Sequence, residues 1–159
     1  MKNIFVFLIC LTPLFINAQS QMPNVRLKNL DNDYKNVYED YNKKDKVYVF
    51  SFWATWCAPC LSELESISEN IEEWKEEVDF DVIAVSVDDA RTVKRVKPLI
   101  NGKDWDYEVL LDTNQELKRT LQISNVPHVI VVKNKKVVYV HNGYVEGAEE
   151  ELFEEIKSL

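Results

Sequence analysis

A seven-residue apolar run, Val47–Trp53 (VYVFSFW), stops three residues before a pair of cysteines with the spacing Cys57-Ala58-Pro59-Cys60. The β-branched and aromatic content of the run reads as a buried strand. Beyond Cys57 the pattern changes to a helical one. Pro59 suits a first helical turn, where its missing N–H is no loss. At about 100° per residue, Leu61, Leu64, Ile67, Ile71, Trp74 and Val78 form one apolar stripe with Cys57 and Cys60 on its side. Glu65, Glu69, Glu73 and Glu76 point away from it. Glu63 lies about 70° from the stripe's centre by the same arithmetic, bordering the buried face. A strand therefore delivers two thiols to the head of an amphipathic helix, and the remaining chain can be read by what it adds to that unit.

Residues 25–30 and 37–38, separated by Asp31-Asn32-Asp33, predict a short hairpin. Residues 82–87 predict another strand, and Asp88-Asp89 a cap for a helix over 90–100 that Asn101-Gly102 ends. A strand over 107–111, a cap at 112–114 and a helix over 115–121 follow. The segment 124–128 breaks the pattern, strands at 129–132 and 137–141 are joined by a turn at 134–136, and 147–159 reads as a closing helix. Strands alternating with helices, then a hairpin and a helix, predict an α/β fold with a central mixed sheet covered on both faces.

The amino-terminal segment carries Lys2, an apolar run over 4–16 and a small residue at Ala18, the layout of a signal peptide over 1–18. The run is shorter than the roughly 20 residues of a spanning helix, and Pro13 weakens it as a retained anchor. Cys10 sits inside that run without the small preceding residue expected for lipid attachment. Residues 19–159 then form a single domain, and its cysteines are Cys57 and Cys60 alone. With 19 Lys and Arg against 27 Asp and Glu, the chain has a formal charge of −8, which disfavours nucleic acid and anionic membrane surfaces as partners. In an exported compartment, periplasmic or otherwise, a free dithiol oxidises unless something keeps it reduced. A disulfide closing so short a loop is a weak staple. Zinc usually takes four protein ligands, and only His128 and His141 remain as further candidates. No cofactor or metal is expected.

With WATWCAPC at the end of a strand, Val126-Pro127-His128 further on and a strand hairpin before a closing helix, the chain resembles the thioredoxin-like superfamily. Within it, the chain is similar to the exported TlpA/ResA-like thiol-disulfide oxidoreductases. The resemblance covers about residues 25–159 and implies a thioredoxin-like fold with an amino-terminal hairpin and an inserted helix-strand segment around 90–111. It implies that Cys57 attacks, Cys60 resolves, and a cis Pro127 faces them and positions the partner chain. Glu63, three residues after Cys60, matches the same branch. Ser51 departs from the buried aspartate of many cytoplasmic relatives, and His128 stands where many carry threonine.

The residues themselves point the same way. A helix N-terminus favours a thiolate, which makes Cys57 the nucleophile and Cys60, one turn deeper, the resolving thiol. A half-buried Glu63 would have a raised pKa and could move the proton of Cys60; a solvated helix-face glutamate is the plainer alternative. His128 has two open readings, a cation beside the thiolate or the first residue of a strand. Trp53 is expected in the core, and Trp56 as a partly exposed platform touching the partner. Trp56, Pro59, Val126, Pro127 and His128 form the expected partner-binding set. Pro59 between the cysteines resembles the reducing family members, so the resemblance implies reduction of protein disulfides, expected of a monomer supplied with electrons by a membrane thiol-transfer protein. Apocytochrome c is one client that the resemblance suggests. The competing readings are a Cu(I) carrier using Cys57, Cys60 and His128, a peroxiredoxin-type peroxidase, and a binding module whose dithiol is incidental. The peroxidase would want a threonine at position 54, where Ala54 stands.

Overall fold

The computed structural model describes residues 21–159. The signal peptide expected over 1–18 and Cys10 lie outside the described residues.

Seven strands form one sheet in the order β2-β1-β5-β4-β3-β6-β7. Inside it lies β3 (Val47–Trp53), buried at every position, flanked by β4 (Phe80–Ser86) in parallel and β6 (His128–Lys133) antiparallel. A strand buried on both faces reads as a continuous apolar run, which is why VYVFSFW stood out in the sequence. β5 (Glu108–Leu111) extends the sheet in parallel beyond β4. The hairpin of β1 (Arg26–Asn29) and β2 (Tyr34–Asn36) adds to β5 antiparallel. On the other side β6 turns through Asn134 and Lys135, both with positive φ, into β7 (Lys136–Asn142). At that same end Gln21 bridges to Lys136, and the Met22 N–H donates to the Lys135 carbonyl at 3.0 Å. The architecture is the mixed-sheet α/β fold expected from the alternation of strands and helices.

The 20-residue α1 (Ala58–Glu77) begins at the expected residue and buries Cys60, Glu63, Leu64, Ile67, Ile71 and Trp74. Leu61 and Val78, expected in that stripe, are only partly buried. Trp74 stacks on Phe153 of α4 (Ala148–Lys157) with ring centroids 4.6 Å apart, which locks the two helices together. Tyr107 Oη donates to the Leu64 carbonyl at 2.6 Å and Trp105 Nε1 to Glu65 at 3.1 Å, tying the segment before β5 to the same helix.

One expected helix is displaced. In place of a helix over 90–100, a 3-10 turn (Val93–Arg95) leads into α2 (Val96–Lys103), which runs through Asn101-Gly102 and ends at Asp104 in the left-handed region, φ 56°. Pro98 accounts for the late start. A helix begun at Ala90 would put the proline in its interior, where it lacks an N–H and its ring meets a carbonyl one turn back. Starting at Val96 places Pro98 in the first turn, where it is tolerated. Asp89 instead caps the preceding turn, accepting from the N–H groups of Arg91 and Thr92.

The short α3 (Glu116–Thr120) is held by Asp112, whose buried carboxylate accepts from Leu117 N at 3.2 Å and Lys118 N at 2.8 Å. Because those donors are left without a partner on truncation, Asp112→Ala should destabilise the fold by about 1–2 kcal/mol. Urea unfolding should show a lower midpoint at unchanged slope; an unmoved midpoint would mean the cap is energetically idle.

Candidate active site

The residues expected to form the site gather at the end of the sheet where β3 and β4 finish and β6 begins. After Trp53 the chain makes a tight turn in which the Cys57 N–H donates to the Ala54 carbonyl at 3.0 Å. Cys57 then serves as the N-cap of α1 with extended backbone, φ −98° and ψ 94°, and its carbonyl accepts from Leu61 N. Pro59 is exposed in the first turn. Cys57 and Cys60 are joined as a disulfide, their Cα atoms 5.3 Å apart. Cys57 retains 6% exposure and Cys60 none, so Cys57 is the less deeply buried of the two. No acidic residue lies in the first turn, and the unpaired N–H groups there set a positive field at Cys57.

Glu63 is buried more deeply than its angle on the helical wheel implied, with 3% exposure. The correction comes from β3: Ser51 projects from the sheet onto this helix and its Oγ donates to Glu63 Oε2 at 2.9 Å, giving a buried carboxyl a partner that a flanking position would not need. Burial pushes the Glu63 pKa up to about 7, the Ser51 hydrogen bond opposes that rise, and the charge of Glu149 adds to it. Glu149 belongs to a small network from the start of α4, in which Tyr144 Oη is 2.8 Å from Ser66 Oγ and donates to Glu149 Oε2 at 2.9 Å. Nothing in the spacing of these residues announced that contact, which spans 78 positions between Ser66 and Tyr144.

The Val126–Pro127 peptide bond is cis. The Pro127 carbonyl accepts from Gly143 N at 2.9 Å, and Val126, Pro127, His128, Asn142 and Gly143 line a groove of about 460 Å³. His128 opens β6 opposite Phe52, while Ser51 pairs with Val129. Alternation along the strands therefore puts the His128 side chain on the opposite face from Ser51 and Glu63. Its Nδ1 bonds Asn142 Oδ1. Burial pushes the His128 pKa down, outweighing the opposing hydrogen bond to Asn142, which favours the uncharged ring at the start of β6 over a cation. Asn142 is a member of this groove that the sequence did not suggest.

Trp53 is fully buried and meets Trp105 edge to face, whereas Trp56 is 60% exposed. Trp56 borders a second hollow with Val87, Arg91, Thr92 and Gln115. Among the described residues, no group of three or more His, Cys, Asp or Glu side chains is placed to hold a metal ion.

Comparison with known proteins agrees with this geometry. The model of the AhpC/TSA family matches residues 18–141. A relative named thiol-disulfide oxidoreductase ResA, from Oceanobacillus iheyensis, is 29% identical over 112 residues, covering 70% of this chain and 57% of the relative. The chain thus spans little more than half the length of that protein. The thioredoxin-like protein YneN of Bacillus subtilis is 25% identical over 138 residues, 86% of this chain and 78% of its own. Among solved structures, an uncharacterised thioredoxin-like protein from Porphyromonas gingivalis superposes with a TM-score of 0.76 and 41% identity over 87% of this chain and 90% of that one.

Proposed function

The chain belongs to the AhpC/TSA family, and from that membership together with the dithiol at the head of α1 we propose that it is an exported thiol-disulfide oxidoreductase that reduces protein disulfides. The observation that carries the reading is the Cys57–Cys60 disulfide at the head of α1, with Cys57 nearer the surface than Cys60.

The reduced enzyme acts as follows. The Cys57 thiolate, favoured by the helix N-terminus, attacks one sulfur of the client disulfide, forming a mixed disulfide and releasing the first client sulfur as a thiolate. Cys60 then loses its proton and attacks Cys57 Sγ. The Cys57–Cys60 disulfide forms and the second client sulfur leaves. Two electrons have passed to the client, whose two sulfurs leave as thiolates and take up protons from solvent or from Glu63, and the enzyme stands in the oxidised state seen here. Glu63 takes the proton of Cys60, a role suited to a carboxyl whose pKa lies near neutrality. The cis Pro127 groove, with Val126 and His128, holds the client segment in extended form, and Trp56 and Pro59 supply apolar contact beside Cys57.

A dithiol donor must restore the thiols. In this reading the domain 19–159 acts outside the cytoplasm after removal of 1–18, as a monomer, with a membrane thiol-transfer protein as electron source and apocytochrome c among its candidate clients. Pro59 between the cysteines favours the reducing direction by the family resemblance. Ala54 offers no hydroxyl three residues before Cys57, which disfavours peroxide reduction, and the His128 ring, bonded to Asn142 and turned to the other face, disfavours the three-ligand copper site.

The test is the reduction potential of the purified protein equilibrated against dithiothreitol, together with insulin-disulfide reduction. A reductase is expected to lie below about −220 mV and to precipitate insulin; a potential near about −120 mV would overturn the direction. Tight Cu(I) binding without insulin reduction would replace the reading altogether.

A further inference from the structure

The mechanism above leaves the carboxylate of Asp88 unused. Asp88 follows β4 and has no exposure, yet among the described residues no cation pairs with it. Its partners are three neutral donors. Ser86 Oγ donates to Oδ2 at 2.9 Å, Thr55 N donates to the same oxygen at 2.8 Å, and Thr55 Oγ1 donates to Oδ1 at 2.6 Å. Two of the three come from Thr55, in the turn that runs from Ala54 to Cys57. That turn is closed at its other end by the Cys57 N–H on the Ala54 carbonyl. A second strut lies alongside, with Val87 N donating to the Trp53 carbonyl at 2.8 Å.

We infer that Asp88 is a positioning residue for the dithiol: it grips Thr55 at backbone and side chain, and so fixes the turn that sets Cys57 at the N-cap of α1 and holds Trp56 outward. The inference rests on the disulfide-exchange reading above. Burying a carboxylate without a counter-charge is costly, and hydrogen bonds from neutral groups compensate it only when all are made. Such a group tolerates little movement of its partners. Its position 33 residues from Thr55 in the chain couples the end of the parallel strand pair to the nucleophile's turn, and a displacement of an ångström at a reacting atom is enough to cost rate.

Asparagine separates grip from charge. Its carbonyl can accept from Thr55 N and Ser86 Oγ while its amide donates to Thr55 Oγ1, so the geometry survives without the charge. The experiment compares Asp88→Asn and Asp88→Ala in the full chain. Second-order rate constants for insulin reduction are read at the plateau above the thiolate titration, where changes in thiolate fraction drop out, and Asp88→Asn controls for a change in thiolate nucleophilicity on loss of the charge. Hydrogen exchange of the Thr55 amide is followed by NMR. Asp88→Ala is expected to lower the plateau about tenfold and to expose the Thr55 amide to exchange, while Asp88→Asn keeps both near wild type. A wild-type plateau in Asp88→Ala, or an Asp88→Asn plateau as low as that of Asp88→Ala, would overturn the inference. Should Asp88→Ala fail to fold, Thr55→Val against Thr55→Ser makes the same comparison from the other partner, with the valine variant expected to fall and the serine variant to hold; equal plateaus would refute the grip. A wild-type protein that is alkylated at Cys57 but leaves insulin intact would instead remove the oxidoreductase reading, with Thr55 exchange still reporting on Asp88.

Discussion

Replacing Cys57 by serine is expected to abolish disulfide reduction, lowering kcat/KM by on the order of a thousandfold or more, because a serine hydroxyl is not ionised at neutral pH and cannot form the mixed disulfide. Cys60→Ser is expected to fail differently. Cys57 still attacks, but with no resolving thiol the client stays attached, so a covalent adduct should accumulate and dissolve on adding dithiothreitol. The asymmetry follows from the proposed roles and from burial: Cys57 lies nearer the surface and Cys60 has no exposure. Non-reducing electrophoresis of each variant after exposure to an oxidised client distinguishes them. Adducts formed equally by Cys57→Ser and Cys60→Ser would remove the assignment of nucleophile and resolver.

Glu63→Gln is expected to make the protein more stable and less active at once. The Glu63 carboxyl has a pKa of about 7 in the folded chain against 4.5 as an ordinary glutamate. Below pH 4.5 it is neutral in both states and its full contribution to stability is present. As pH rises from 4.5 through 7 the unfolded chain ionises first, and that contribution is lost. The loss amounts to roughly 3 kcal/mol above pH 7. Glutamine is neutral throughout, so the oxidised variant should match wild type near pH 4 and exceed it at pH 8 by roughly 2–3 kcal/mol. In exchange assays the same variant should lose the limb of the pH–rate profile near neutrality while keeping its fold. Urea unfolding at the two pH values gives the first readout, and stability curves that stay parallel would show that Glu63 is solvated and ordinary. A carboxyl kept where it weakens the fold is what a stability cost tied to function looks like.

How far the chain could be read before its structure depended on how local each determinant was. β3 emerges with the expected limits because a central strand needs no distant partner to look apolar. The start of α1 is equally local, fixed by Pro59 and the change of period. The helix after β4 was misplaced because Asp88 and Asp89 look alike in sequence: Asp89 caps the turn that follows, whereas Asp88 turns inward to Thr55. Pro98 carried the information that would have moved the helix start to Val96. The depth of Glu63 depended on Ser51, 12 residues earlier and on another element. The bond of His128 to Asn142 likewise depended on the register of β6 with β7, which no single stretch of the chain reveals.

The bridge from Gln21 to Lys136 lies where β3 starts, since Val47 pairs with Lys133 beside the β6–β7 turn. Cys57 lies beyond the other end of β3, a rise of roughly 20 Å for seven residues. Gln21 therefore sits at the pole opposite the dithiol, and a bead or tag fixed to that pole should leave the approach to Cys57 unobstructed and not hinder client capture.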